Sequence, residues 1–485
     1  MRLEQQAAGG RGMKRTLPQR QLRVVSRKPL NAPLQLALGG MRLPLALLII
    51  TTISRAHQYF GFLDKARPAL LLFLAAVVMF AFTDKKSLAL DNWKELPIRL
   101  VLWLAAAAVL SGTLGMSFGG SLSFFLNNFS KVLILSLLIA AVCRTADELW
   151  TMVWAYVIGV GILSWMAMFV YKMRNDGGMQ RLGDGYTYDA NDMGLVCITG
   201  IPLALITFRS SGKNGKLVSL VILALDCVAI ARTGSRGAFL GLLALALSLL
   251  FLARGMSVFN RLAIAVVGAA AMAIAAPKGY MKQMQTITDP TADYNWTSRT
   301  GRKEVAKRGW GYLQQNLITG IGIMNFPRAE GTVSEAAVDF ELGGQGVKWS
   351  AAHNTFLQAF VEMGFFGGGI FVAIIWVGIT CGLRMRRKFG GREPPAGTAQ
   401  LCVSSVGSYL PLAFIGFSVS GFFLSFAYMD PLYILTAFAA GAMGLTTRMS
   451  KDHSPAPRAM APPPSWVAPH AHAPPRTHRT LTPGA

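Results

Sequence analysis

The sequence predicts an all-α polytopic membrane protein with about twelve transmembrane helices and one large outer loop. Three observations carry this: a composition poor in charge, a regular succession of apolar runs, and an uneven distribution of basic residues between alternate loops. Of 485 residues, 53% are hydrophobic and 14% charged, against about 25% charged in an average soluble domain. Apolar stretches fall near residues 34–54, 68–83, 97–114, 124–143, 150–171, 193–208, 216–231, 237–253, 258–276, 354–383, 401–427 and 431–447, each bounded by charges, Gly or Pro. About 20 residues cross a bilayer as a helix, so twelve crossings use about 240 and leave the rest for connections, one sizeable loop and two tails. That arithmetic excludes a fibre, a disordered chain and a disulfide scaffold.

Residues 1–33 form a basic arm, and no small-residue cleavage site follows the first apolar run, which reads as a retained helix and not a signal peptide. Residues 34–276 hold helices one to nine, 277–353 the large loop, and 354–448 helices ten to twelve. Residues 449–485, rich in Pro, Ala and His, read as a disordered tail. Assigning alternate loops to the cytoplasm places Lys85, Lys86, Lys94, Arg144, Arg209, Lys213, Lys216, Arg254, Arg261 and the run from Arg384 to Arg392 on one side with both basic tails. This is the positive-inside pattern, with both termini cytoplasmic. The long loop also carries basic residues, but a loop of that length is translocated largely regardless of charge. The formal charge of +24 is scattered between apolar runs, so it sets orientation and does not mark a nucleic-acid partner.

The five cysteines (Cys143, Cys197, Cys227, Cys381, Cys402) lie in or beside apolar runs without CxxC spacing, so neither a disulfide framework nor a metal site is expected. No Gly-rich phosphate loop, zinc spacing or Ser/His/Asp motif is visible, and no cofactor is implied. Asp289 and Asp293 bracket a Pro turn, too few carboxylates for a metal site.

Within the long loop, Arg302 to Gln315 reads as an amphipathic helix ending before Thr319-Gly320-Ile321-Gly322. His57 sits in a short outer loop and four more histidines in the tail. His353 stands where the large loop meets the helix that begins Asn354-Thr355-Phe356, at the membrane interface. An imidazole there is placed either to take a proton from a hydroxyl or to make a structural hydrogen bond beside a helix cap. Arg232-Thr233-Gly234-Ser235-Arg236-Gly237 lies between two apolar runs on the outer side. Its arginines present planar forks suited to phosphate oxygens, or else snorkel to the interface. Arg299, Arg302 and Lys303 are spaced to share a helical face, solvated or ligand-binding. Lys172, Arg174, Arg181, Asp184, Asp189, Asn191 and Asp192 make a polar outer loop that touches a sugar or caps the next helix.

Four segments in order, Thr233-Gly-Ser-Arg-Gly-Ala-Phe-Leu, Thr300-Gly-Arg-Lys-Glu-Val, Gly320-Ile-Gly-Ile-Met-Asn-Phe and Ala352-His-Asn-Thr-Phe-Leu-Gln-Ala-Phe-Val-Glu-Met-Gly-Phe-Phe-Gly, resemble the O-antigen ligase and polymerase family of bacterial inner membranes, in its O-glycosylation ligase branch. The resemblance runs from about residue 180 to 380. A tryptophan frequent in the family is replaced by Ala306, and the usual Pro before the Gly-x-Gly pair is Leu317. The resemblance implies a GT-C-like, metal-independent, inverting glycosyltransferase. Such an enzyme moves a glycan whole from undecaprenyl diphosphate to an acceptor hydroxyl (lipid A core, protein or another glycan) at the outer face. By motif matching His353 is the general base and Arg236 and Arg302 bind the diphosphate, with Asn354, Arg181, Asn191 and Arg299 in support. A polysaccharide polymerase shares that topology and chemistry. A lipid-linked oligosaccharide flippase is the alternative of another class, and should line a central path with intramembrane charge. The spans carry little of it, chiefly Arg42, Arg99, Asp226 and Glu362, most of them near predicted ends.

Overall fold

The computed structural model describes residues 34–176, 179–183, 185, 187–252, 256–289, 296, 298, 301–334, 337, 349–388 and 397–451. The N-terminal arm, the C-terminal tail, Asp184, Asp293 and Arg299 lie outside the described residues. The chain is a helical, multi-pass membrane protein. Its helices are α1 (Arg42–Ser54), α2 (Ala56–Tyr59), α3 (Gly61–Ala66), α4 (Pro68–Phe82), α5 (Leu96–Leu114), α6 (Phe118–Phe124), α7 (Ser130–Val142), α8 (Ala146–Phe169), α9 (Ala190–Ser210), α10 (Lys213–Thr233), α11 (Arg236–Leu252) and α12 (Val258–Ala275). There follow α13 (Tyr280–Gln285), α14 (Arg302–Gln315), α15 (Phe326–Thr332), α16 (Thr355–Lys388), α17 (Ala399–Gly421) and α18 (Asp430–Lys451).

Each of the twelve apolar stretches falls on a helix. Among the described residues nine helical runs are long and apolar enough to cross a membrane; α1 and α11 are shorter apolar helices. α9 and α17 are wrapped on nearly all sides, whereas α4 and α12 turn almost their whole surface outward. That division follows from composition, since Gly194, Gly200, Gly407 and Gly416 let the inner helices approach closely. Helix starts obey local chemistry: Thr145 and Asp189 close capping boxes with Glu148 and Asp192, and Pro68 and Pro97 occupy first turns where no N–H is needed.

Two connections between spans carry local structure of their own. The polar outer segment before α9 holds an antiparallel hairpin, β1 (Met173–Asp176) with β2 (Met179–Leu182), in an otherwise helical fold. Its sequence Asn175-Asp176-Gly177-Gly178 has the composition of a two-residue hairpin turn. His57 lies in the single-turn helix α2, within the connection between α1 and the next span.

The long loop carries a core of its own. Val305, Tyr312 and Leu313 of α14 cluster with Ile321, Phe326, Ala329, Ala352 and Val361. A two-point ion pair pins this layer: Arg308 donates from Nε and Nη2 to Glu330 at 2.9 and 2.5 Å, and Tyr312 adds its hydroxyl at 2.9 Å. The hydrogen bonds to Glu330 raise the Arg308 pKa further, and burial raises that of Tyr312. Glu330 is 2% exposed, so Glu330→Ala should cost about 3 kcal/mol by stranding a guanidinium from its carboxylate. Limited proteolysis should then cut between 302 and 334 at protease concentrations that spare the parent.

The loop is also stitched into the bundle. α16 breaks at Gly364 (φ 65°, ψ −172°), which frees carbonyls that a continuous helix would use. The loop fills them: Ile321 N donates to Val361 O and Gly322 N to Glu362 O, both at 3.0 Å, while Phe365 N donates to Leu317 O at 2.7 Å. Gly320 (φ 72°) and Gly322 (φ 98°) adopt the left-handed region, and a Cβ on Gly320 would press on the backbone of Glu362 and Gly364. From the other side Met116 N bonds Ile321 O at 2.8 Å, and Ser121 Oγ bonds Ile323 O at 3.0 Å.

Candidate functional site

The starts of α9 and α11 meet, Gly194 facing Thr233, Ser235 and Ala238, and the first turn of α14 shares a core with Ala352 just before α16. Arg236 is the first residue of α11. The turn before it works because Gly234 takes φ 59° and ends α10, and β2 lies directly over that glycine through Met179 and Arg181. Arg236 Nη1 donates to Thr286 Oγ1 at 2.7 Å, so the half-buried guanidinium is tied to the start of the long loop. Gly237 packs its bare face on Phe423.

His353 precedes α16 in the left-handed region (φ 49°), an uncommon conformation for a side chain with Cβ and one that concentrates at functional sites. Its backbone N–H donates to Ser425 Oγ at 2.8 Å and its side chain is exposed. Asn354 supplies the helix cap, its Oδ1 accepting from Phe356 N at 2.9 Å and Leu357 N at 3.0 Å. The imidazole is thus not consumed by capping. Thr355 Oγ1 donates to Leu424 O and accepts from Phe426 N, which fixes the turn after α17 against the start of α16. Arg236 and His353 therefore flank one short segment: Phe423 on the side of α11, Ser425 on the side of α16.

Arg302, half-buried, is the first residue of α14, after Gly301. The helix runs over the range the sequence predicts, after Gly301 in extended backbone; the expectation that Arg299 shares its face falls on a residue outside the described ones. One turn on, Val305 shares the loop's small core with Ala352, the neighbour of His353. Arg181 Nη2 donates to Asn191 Oδ1 at 3.3 Å beside the Gly234 turn. Asp189 and Asp192 spend their carboxylates on the start of α9, the capping role. Arg232 Nε donates to Ala167 O at 3.0 Å, in the last turn of α8.

Half-buried guanidinium groups at the starts of α11 and α14 and an exposed imidazole before α16 are the chemistry that favours an anion next to a proton acceptor, whereas the start of α9 is already answered by the Asp189 and Asp192 carboxylates. Among the described residues no group of three His, Cys, Asp or Glu stands where it could hold a metal ion; Asp289 is described and Asp293 is not. Sequence reasoning missed Thr286, Phe423 and Ser425, which hold the predicted residues in place. All three are small or apolar side chains in unremarkable context, and only their tertiary contacts reveal them.

Residues 219–372 match the model of a protein family described as O-antigen ligase. The match includes Arg236, Arg299, Arg302, His353 and Asn354, and leaves Arg181 and Asn191 outside. No curated protein matches the chain.

Proposed function

We propose, for a chain that carries an O-antigen ligase family region over residues 219–372, that it transfers a glycan whole from undecaprenyl diphosphate to an acceptor hydroxyl at the outer face of the bacterial inner membrane, with both termini cytoplasmic. The observation that supports this reading is that the residues next to Arg236 and His353 meet one segment, Gly237 at Phe423 and the His353 backbone at Ser425, while Val305 of the Arg302 helix clusters with Ala352.

In this reading the acceptor hydroxyl lies against the exposed His353 imidazole, which takes its proton as the oxygen attacks the anomeric carbon. The bond from that carbon to the diphosphate oxygen breaks, and the electron pair leaves with undecaprenyl diphosphate. Arg236 and Arg302 hold the departing oxygens, where stabilisation grows as charge develops. Attack from the face opposite the leaving group inverts the anomeric centre. With the diphosphate neutralised by guanidinium, neither a metal nor a general acid is required.

The test is transfer in proteoliposomes loaded with undecaprenyl diphosphate-linked glycan and offered lipid A core, a hydroxyl-bearing peptide or free glycan. Consumption of donor with one acceptor is expected, undiminished by EDTA. A strict Mg²⁺ or Mn²⁺ requirement restored by add-back would overturn the metal-independent mechanism. The topology has its own check: reporter fusions after residues 213 and 390 should read cytoplasm, and one near 320 the outer compartment. A cytoplasmic signal at 320 separates the site from the donor.

A further inference from the structure

A cavity of about 420 Å³ lies between α1, α4, α7 and the segment that leads into α18, within the roughly 300–1,000 Å³ of small-ligand sites. Its lining combines apolar side chains, Leu70 and Phe73 of α4 and Leu135 of α7, with the basic Arg55, His57 and Lys131, the last of these one turn before Leu135 on α7.

Most polar groups around it are already paired. Arg55 Nη2 holds Asp430 Oδ2 at 2.7 Å, its guanidinium stands over the Tyr188 ring, and Thr187 Oγ1 donates to Gln58 Oε1 at 2.8 Å. Several groups remain. Arg55 Nε, His57 Nδ1 and the Tyr428 hydroxyl are buried with no hydrogen-bond partner, and the Lys131 ammonium makes no ion pair among the described residues. A buried donor left unmade costs about 1–3 kcal/mol, which points to an occupant that supplies acceptors. Burial, reinforced by the neighbouring Arg55 charge, holds His57 below its ordinary pKa and therefore neutral at pH 7. Arg55 and Lys131 against Asp430 then leave one net positive charge. That matches a monoanion and falls short of a diphosphate.

We propose that this cavity seats the phosphodiester head of a bilayer lipid, its oxygens on Arg55 Nε, His57 and Lys131 and its first methylenes against Leu70, Phe73 and Leu135. The site is separate from Arg236 and Arg302 and stands whether or not glycan transfer is the activity. Its position has a structural corollary, because Tyr428, Met429 and Asp430 line the cavity and Ser425, a few residues earlier in the same segment, bonds the His353 backbone. A lipid lodged there braces the segment on which His353 rests.

The experiment uses the full chain in a nonionic detergent, titrated with short-chain phosphatidylglycerol, with diacylglycerol of the same chain length, and with inorganic phosphate, reading the unfolding midpoint and lipid adducts in native mass spectra. Phosphatidylglycerol is expected to bind and stabilise, diacylglycerol and phosphate to do neither. Lys131→Gln and, as a second variant, His57→Gln should each weaken phosphatidylglycerol about 10-fold, the scale of one lost charge-assisted contact, while Arg236→Gln leaves it unchanged. An equal response to diacylglycerol reduces the cavity to an apolar groove, and an equal response to phosphate to an anion site that reads no lipid. Sensitivity to Arg236→Gln in place of Lys131→Gln moves the lipid to the transfer site. Each of these outcomes overturns the proposal.

Discussion

Replacing His353 by alanine should lower glycan transfer by about 10²- to 10⁴-fold, the loss typical of a positioned general base, while the protein still inserts and accumulates. The expectation of intact folding rests on geometry. The helix cap belongs to Asn354, and the bond to Ser425 uses the backbone of residue 353, so neither depends on the imidazole. His353→Asn sharpens the test, because asparagine tolerates the left-handed backbone at this position better than alanine does and has no basicity at neutral pH. Both variants should fail equally in transfer. Asn354→Ala should instead cost about 1 kcal/mol of stability with transfer reduced far less. Near-normal transfer by His353→Asn would return this histidine to a structural role.

The second large effect concerns Arg236 and Arg302. Each replaced by lysine should slow transfer about 10- to 150-fold, because an ammonium keeps the charge and loses the planar two-point contact, worth about 1.5–3 kcal/mol. Cells expressing either variant should accumulate unreacted lipid-linked glycan at matched protein level. Arg232→Lys is the control, since Arg232 bonds the last turn of α8 at Ala167 O and faces another task. If Arg232→Lys blocks transfer and Arg236→Lys does not, the phosphate site has been built on the wrong arginine.

What was legible in the sequence was what local chemistry dictates. Gly234 between two apolar runs announces a tight reversal, and the spacing of Val305, Tyr312 and Leu313 announces a helix over 302–315, because both depend on residues within a turn or two. The candidate site residues were legible through type and motif order, not through position in space. The contacts that hold them were not, since they join segments far apart in the chain: Ser425 with His353, Thr286 with Arg236, and Arg55 with Asp430 across 375 positions. Asp226 illustrates the same limit. It is buried within α10 and accepts from Ser164 Oγ at 2.6 Å, a pairing that no periodicity reveals. The hairpin over the Gly234 turn was obscured by the polar composition around it.

The broken helix α16 makes the outer layer inseparable from the spans in an engineering sense. Two of the carbonyls opened at Gly364 are answered by amides of Ile321 and Gly322, so the loop is part of the helix's own backbone wiring. Excising the loop strands the Val361 carbonyl and leaves that of Glu362 with the Ser111 hydroxyl alone, and an unmet group in an apolar surrounding costs several kcal/mol. A soluble fragment of the loop, conversely, exposes amides with no complement. Exchange between relatives therefore has a natural unit. A transplanted loop must travel with the receiving half of α16, glycine break included, and a cut placed between Gly322 and Gly364 divides a single joint.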